Sequence, residues 1–280
     1  MKKITRRSFL AAAGLTAAAL ALTACGGSSS STASSVASSA AASSEVASSS
    51  AAAAELTTVE AGKLTMATNA AFPPYEMTTD AGDFEGIDIE TAQAIADKLG
   101  LELQIDDMDF DAALLSVQQG KADIVMAGVT VTDERKAVMD FSDSYATGIQ
   151  SIIVPEGSDI ASPDDLAGKK IGTQRGTTGY IYCSDDFGDD AVVAYDDGLT
   201  AVQALNNGQV DAVVIDNAPA KEFIAANPGL VILETSYAEE DYAIGLAKGS
   251  SLKDAINGAL EELKADGTLQ SIVDKYISAE

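Results

Sequence analysis

The residues with the clearest chemistry lie in one stretch, residues 122–136, where an apolar run precedes a glycine, a threonine and an arginine. The run 124–126 is short enough to be a buried strand, and Gly128 lets the backbone turn after it. Thr132 can cap a helix that begins with two acidic residues. Arg135 then stands at the mouth of a strand–loop–helix junction, where free N–H groups and a guanidinium fork together match a carboxylate. The stretch therefore predicts a site for an anionic group.

A surface ion pair is the alternative for the same arginine. Asp133, Asp140 and Asp143 all lie close to Arg135 in the sequence, and exposed ion pairs are common and weak. This stretch alone does not distinguish a ligand clamp from such a pair.

An internal repeat indicates where a second half of the site could come from. Residues 118–125 match residues 206–213 at an offset of 88, and the position of Gly128 then corresponds to Asp216. Each copy follows a predicted helix, turns at a glycine and enters an apolar strand. One interpretation is convergence on a common turn, and the other is two similar α/β lobes. Because ligands bind beyond the carboxyl ends of strands in open α/β sheets, two facing lobes would form a cleft.

Strands and helices alternate along the chain, which predicts an α/β fold with parallel sheets. A strand at 63–68 leads into a loop with two prolines and two aromatic residues, which cannot be a helix interior. A loop at 175–180 opens a helix, where Thr177 and Thr178 can cap the helix and hold another face of an anion. The segment 237–246 is expected to return to the first lobe. The other predicted helices are 88–100, 111–119, 199–205, 254–264 and 269–276, and the other predicted strands are 101–105, 151–154, 169–174 and 210–215.

Composition disfavours several classes of function. The chain contains no histidine, which removes the usual general base and the usual zinc ligand. It also has no glycine-rich phosphate loop, no pair of cysteines at metal-ligand spacing and no calcium loop, so we expect neither a metal nor a cofactor. The net charge of −26 argues against binding to nucleic acid. Cys183 is expected to be a small buried residue without a disulfide.

The N-terminal residues predict export. Residues 1–24 combine a basic start with an apolar run too short to span a bilayer, which is typical of a signal peptide. The sequence around Cys25 resembles the bacterial lipobox, and the alternative is an ordinary signal peptide with a chance cysteine. The rest of residues 25–55 is almost wholly serine and alanine, which predicts a disordered tether. We therefore expect an exported protein that is lipid-anchored on the outer face of the cytoplasmic membrane, or a periplasmic one.

The combined pattern resembles the polar amino acid solute-binding proteins of bacterial ABC importers, which include the glutamine- and histidine-binding proteins. The most specific matches are residues 128–135, residues 140–145 and two glycine-containing segments near the C-terminus, 257–260 and 266–269. The resemblance implies a periplasmic-binding-protein-like fold, in which two α/β lobes are joined by a two-segment hinge around a ligand cleft. Residues 56–147 with 241–280 would form lobe 1, and residues 148–240 would form lobe 2. A monomer is expected.

The resemblance also assigns roles to individual residues. Arg135 matches the arginine that clamps the α-carboxylate of the ligand, and Asp216 matches the carboxylate that receives its α-ammonium. Phe72 and Phe110 match the aromatic residues that sandwich the side chain. The remaining matched polar positions are Gly128, Thr130, Thr177 and Thr178.

Two departures from the family bear on the ligand. Asn69 stands where several relatives have an acidic residue, and Gln174 stands where the glutamine-binding protein has a lysine. Because Asn69 carries no charge, a neutral polar side chain such as that of glutamine is favoured. An acidic ligand is the alternative, because Arg175 could pair with an acidic side chain if it faced the same pocket.

The predicted function is therefore capture of an L-amino acid and its delivery to an ABC permease, without catalysis. Two alternatives belong to other classes: an enzyme on the same fold, similar to cyclohexadienyl dehydratases, and a ligand-sensing domain that signals through a partner protein.

Overall fold

A computed structural model describes residues 56–277 of the chain. The predicted signal peptide at 1–24, the lipidation site at Cys25, the tether up to residue 55 and the last three residues lie outside this range. Among the described residues, no helix is both long and apolar enough to cross a membrane.

The described part alternates strands and helices, as the sequence predicts. The strands are β1 (Lys63–Thr68), β2 (Ala71–Phe72), β3 (Glu76–Thr78), β4 (Phe84–Glu85), β5 (Glu102–Asp107), β6 (Ile124–Val125), β7 (Met139–Pro155), β8 (Ile171–Gln174), β9 (Val192–Tyr195), β10 (Ala212–Asp216), β11 (Leu230–Ile232) and β12 (Ala238–Ala247). The α-helices are α1 (Ile87–Leu99), α2 (Phe110–Gln118), α3 (Asp133–Val138), α4 (Thr178–Phe187), α5 (Gly198–Asn206), α6 (Asn217–Ala226), α7 (Lys253–Ala265) and α8 (Thr268–Tyr276).

The large sheet consists of two similar halves. Its strand order is β5-β1-β6-β12-β7-β10-β8-β9, with β11 paired to β7. In one half β1 pairs in parallel with β5 and β6, and in the other half β8 pairs in parallel with β9 and β10. Both halves therefore follow the same β-α-β-α-β path, since α1 and α2 connect the first set of strands and α4 and α5 connect the second.

The sequence repeat corresponds to this structural repeat. Gly120 and Gly208 end the equivalent helices, each with a φ of 66°, a left-handed conformation that glycine adopts without strain. The equivalent aspartates also act alike. Asp123 Oδ2 accepts a hydrogen bond from the backbone N–H of Thr65, and Asp211 Oδ2 accepts one from Lys170 N–H, each at 2.8 Å. Convergence on a common turn does not account for matching strand order and matching hydrogen bonds.

Two long strands connect the halves. β7 pairs with β12 over much of its length and with β10 and β11 towards its end, while β12 also pairs with β6. The sequence predicted a strand only at 151–154, which is the last part of β7. We propose that these crossing strands are the hinge, with residues 56–147 and 241–277 as lobe 1 and residues 148–240 as lobe 2.

A small three-stranded sheet, β2-β3-β4, sits beside the N-terminus of α1. The N–H of Asp88 donates to the carbonyl of Tyr75 at 2.8 Å. Gly86 has a φ of 130°, and a Cβ there would lie 2.9 Å from the backbone nitrogen of Glu76, so only glycine allows this close approach. On the other side of α1, Ile95 packs with Leu260 of α7 in the largest apolar core.

Candidate ligand-binding site

The predicted strand–loop–helix junction forms as expected and buries Arg135. The Thr132 hydroxyl accepts a hydrogen bond from the backbone N–H of Arg135 at 3.2 Å and so caps α3. The side chain of Arg135 turns inward, leaving the residue 8% exposed. Its guanidinium donates through Nη1 to the carbonyl of Thr130 at 2.8 Å and through Nη2 to the carbonyl of Gly176 at 3.1 Å. The second bond connects α3, which follows β6, to the loop after β8, and these two strands belong to different halves of the large sheet.

The surface ion-pair alternative for Arg135 does not hold. Asp133 pairs with Lys136 at 3.5 Å, and Asp140 pairs with Lys248 at 2.9 Å. No carboxylate among residues 56–277 lies within salt-bridge distance of Arg135. Burial lowers the pKa of the Arg135 guanidinium, and the negative charge of Glu240 acts in the opposite direction. A buried cation without a carboxylate partner is costly, so the position favours an anionic ligand.

The residues around Arg135 line one cavity between the lobes, which we call the cleft. Nine of the ten predicted ligand-binding residues line it: Asn69, Phe72, Phe110, Gly128, Thr130, Arg135, Gln174, Thr177 and Thr178. Four further lining residues were not predicted: Glu76, Ala127, Gln150 and Tyr242.

The aromatic residues form the apolar part of the cleft. The Arg135 guanidinium lies over the Phe110 ring, 5.4 Å from its centroid, which is within the range of a cation–π contact. The Phe72 ring stacks on Tyr75 at 5.8 Å, and a Cβ on Gly128 would lie 2.9 Å from that Phe72 ring. Glycine at 128 therefore keeps the backbone and the ring in close contact.

Two amides meet across the cleft. Gln174 Nε2 donates to Asn69 Oδ1 at 2.8 Å, and Asn69 Nδ2 donates to the carbonyl of Met108 at 2.9 Å. Since Asn69 follows β1 and Gln174 ends β8, this bond also connects the two halves of the large sheet. Arg175, which left an acidic ligand open, is exposed and pairs with Asp196 at 3.4 Å.

The hinge strand β12 contributes a buried carboxylate that sequence reasoning did not find. Glu240 Oε2 accepts from the hydroxyls of Thr130 at 3.2 Å and Thr178 at 3.0 Å, and from Gln150 Nε2 at 3.0 Å. All three donors line the cleft. Glu240 Oε1 is buried and has no hydrogen-bond partner among the described residues. Glu240 therefore contacts both lobes and retains one free acceptor oxygen.

Asp216 is the tenth predicted ligand-binding residue. It is buried but does not line the cleft. Its Oδ1 caps α6 by accepting from Ala218 N–H at 3.0 Å, and its Oδ2 accepts from Ile149 N–H and the Tyr242 hydroxyl, each at 2.8 Å. Burial raises the pKa of Asp216 to about 6. The carboxylate thus lies behind Tyr242, because its own backbone ends a strand and starts a helix that needs a cap.

Glu76 is the most unexpected lining residue. It is fully buried, and neither of its carboxylate oxygens has a hydrogen-bond donor among the described residues. Burial raises its pKa well above the ordinary value, and the neighbouring Asp88 acts in the same direction. The sequence offered only one signal for it, an acidic residue directly after the proline-aromatic loop.

Comparison with known proteins agrees with this arrangement. Residues 64–279 match the family of bacterial extracellular solute-binding proteins, family 3. The L-cystine-binding protein TcyJ of Escherichia coli K12 is 33% identical over 226 residues, which are 79% of this chain and 85% of that protein. The arginine-binding extracellular protein ArtP of Bacillus subtilis is 32% identical over 230 residues, which are 78% of this chain and 87% of that protein.

Solved structures show the same architecture. The arginine-, lysine-, histidine-binding protein ArtJ from Geobacillus stearothermophilus superposes with a TM-score of 0.75 at 34% identity, covering 78% of this chain and 96% of that one. An ancestral arginine-binding protein bound to glutamine gives a TM-score of 0.75 at 42% identity, covering 79% and 100%. These likenesses confirm the predicted fold, periplasmic-binding-protein-like with two α/β lobes.

Proposed function

The chain belongs to family 3 of the bacterial extracellular solute-binding proteins, and we propose that it captures an L-α-amino acid and delivers it to the permease of an ABC importer. In this proposal the two lobes close over the ligand, and no chemical step follows binding. The relatives are named for binding cystine or arginine, which supports an amino acid as the ligand.

Arg135 is the observation that carries the proposal. It is a buried guanidinium in the cleft without a carboxylate partner among the described residues. An α-carboxylate placed against it would supply the missing charge through two parallel hydrogen bonds. The hydroxyls of Thr177 and Thr178, at the start of α4, lie on the opposite side of the same cleft. A ligand held from both sides would link binding to closure.

The α-ammonium group needs acceptors at a fixed distance from that carboxylate. Neither Glu240 nor Asp216 lines the cleft directly. Glu240 bonds to the lining hydroxyls of Thr130 and Thr178 and has a buried oxygen without a partner among the described residues, whereas both oxygens of Asp216 already accept hydrogen bonds. We therefore assign the ammonium to Glu240, with Gly128 and Thr130 as further acceptors. Asp216 contributes negative potential through the hydroxyl of Tyr242.

The side chain of the ligand would lie between Phe72 and Phe110. The amides of Asn69 and Gln174 favour a neutral polar group, as the sequence suggested. Glu76 adds a carboxyl group to the same wall, and an aromatic sandwich beside a carboxylate is suited to a planar cation such as guanidinium. We propose L-arginine, whose side chain is cationic, as the first candidate ligand and L-glutamine, whose side chain is neutral, as the second.

The predicted signal peptide at 1–24 and lipidated Cys25 complete the proposal. The segment from a lipid-anchored Cys25 to residue 55 would keep a monomeric binding protein near its permease. Mass spectrometry of the membrane fraction would test this, since a diacylglycerol modification of Cys25 is expected. An unmodified residue there would contradict the anchor.

A thermal-shift screen over the standard amino acids and cystine tests the function. A ligand that binds only the folded state raises the melting temperature by mass action, so we expect at least one amino acid to do so. If none does, amino acid binding is wrong. Overnight incubation with prephenate-like acids tests the dehydratase alternative, and we expect no product.

A further inference from the structure

Glu76 and Asp88 form a pair of buried carboxyl groups at the floor of the cleft. Both are fully buried, and Glu76 lines the cleft. Gly86 and the N-terminal N–H groups of α1 hold the strand that carries Glu76 against the helix that carries Asp88. Both oxygens of Glu76 and Oδ1 of Asp88 are buried without another hydrogen-bond partner among the described residues, and each group affects the pKa of the other.

Their hydrogen bonds show that the pair needs a proton. Asp88 Oδ2 accepts from the Gly128 N–H at 3.0 Å and from the Tyr145 hydroxyl at 2.8 Å. If both groups were ionised, Asp88 Oδ1 and both oxygens of Glu76 would have no donor among the described residues. Two carboxyl groups can bond to each other only when one of them carries a proton. Asp88 already receives two donors, so the proton belongs on Glu76.

The groups facing the pair reinforce this protonation. Asp107 at the end of β5 and Asp216 at the end of β10 both disfavour negative charge on Glu76. Tyr145 on β7 and Tyr75 are the neutral titratable groups facing it. Arg135 on α3 lines the same cleft, but its nitrogens bond to backbone carbonyls. Burial raises the pKa of Asp88 to about 6, and its hydrogen bonds act in the opposite direction.

We propose that the Glu76–Asp88 pair holds one proton before the ligand enters and releases it to solvent when a cationic side chain binds beside Glu76. The inference rests on the proposed amino acid binding. In the step, the O–H bond of Glu76 breaks, the proton passes to water, and the new carboxylate accepts hydrogen bonds from the entering cation. The charge of the site is then the same before and after, because one positive charge replaces another.

A neutral side chain would leave the proton in place. The O–H of Glu76 could donate to the side-chain oxygen of glutamine, so the pair is able to accept a neutral ligand in its protonated form. The two ligand classes therefore differ in proton release. Where one proton is released per ligand, the association constant rises about tenfold per pH unit, whereas without release it does not change.

Calorimetric titration in buffers with low and high ionisation enthalpy measures the released protons directly. The probes are L-arginine and L-glutamine, which share the same α-groups and differ in side-chain charge. At slightly acidic pH we expect proton release on binding of L-arginine and none on binding of L-glutamine. Glu76→Gln removes the titrating group, so arginine binding should lose both its proton release and its pH dependence.

The outcomes separate this inference from the proposed function. Arginine binding without proton release overturns the proton displacement and leaves amino acid binding intact. Binding of glutamine without any binding of arginine also overturns the proton displacement and leaves amino acid binding intact. Equal proton release with both ligands has the same consequence. If no standard amino acid binds, the proposed function itself fails. The wild-type comparison decides the question even if Glu76→Gln does not fold.

Discussion

Replacing Arg135 by alanine should abolish most of the affinity for an α-amino acid. The guanidinium is buried in the cleft, and an α-carboxylate against it would form two charge-assisted hydrogen bonds of about 1.5–3 kcal/mol each. Their loss, about 3–6 kcal/mol, corresponds to a dissociation constant about 10²- to 10⁴-fold weaker. Lys136→Ala is the matched control, because it removes the same charge from the exposed side of the same helix.

A thermodynamic cycle separates the clamp from general damage to the site. L-Arginine and agmatine differ only in the α-carboxylate, and calorimetry gives the affinity of each for the wild type and for Arg135→Ala. The wild type should prefer arginine by about 10²- to 10⁴-fold, and the variant should show little preference, since the two changes remove the same contact. For glutamine, 4-aminobutanamide is the corresponding amine.

The reasoning is refuted if Arg135→Ala keeps the wild-type preference for arginine over agmatine. The variant also leaves the carbonyls of Thr130 and Gly176 without this donor, so a stability loss of about 1–3 kcal/mol is expected. Thermal unfolding without ligand measures that loss separately from the affinity.

Three further predictions concern the hinge, the ammonium group and pH. Gly148→Ala should destabilise the protein by about 1–3 kcal/mol in chemical unfolding, because its Cβ would lie 2.6 Å from Cε1 of the Tyr242 ring. Gly258→Ala is the control in an open helical position and should stabilise the protein by about 0.5–1 kcal/mol. Glu240→Gln should weaken amino acid binding about 10- to 100-fold in calorimetry, and Asp216→Asn should weaken it less. If Asp216→Asn has the larger effect, the α-ammonium group is bound by Asp216 instead. The free energy of unfolding should fall as pH rises from about 4 to about 7. Burial raises the pKa of Asp88 and Asp216 to about 6, so the folded chain keeps protons that the unfolded chain has released. Asp216→Asn should reduce this dependence on pH, and an unchanged dependence would contradict the assignment to Asp216.

The strand–loop–helix junction that carries Arg135 and the repeat could be predicted from the sequence because both depend on local patterns. The Thr132 hydroxyl caps α3 by accepting a hydrogen bond from the backbone N–H of Arg135, three positions away. This bond fixes the position of the Arg135 backbone. The helix–glycine–strand repeat is likewise contained within a few residues. Such features are specified by backbone preference and short-range hydrogen bonds, which the residue order records directly.

The features that were missed depend on distant parts of the chain. Glu76 is a polar residue after a loop, and only its packing against α1 makes it a buried group of the cleft. Residues 139–150 alternate poorly, so the length of β7 follows from its pairing with β12. Asp216 was expected at the ligand from the family resemblance and the repeat. The proline three residues later was a signal that its side chain caps a helix.

A crystal structure of the complex tests the central claim most directly. The protein would be stripped of ligand and crystallised with the amino acid that raises its melting temperature most. The account predicts one ligand between the lobes, with its α-carboxylate hydrogen-bonded to Arg135 and its side chain between Phe72 and Phe110. An amino acid bound outside the cleft, or bound with its carboxylate away from Arg135, would contradict it.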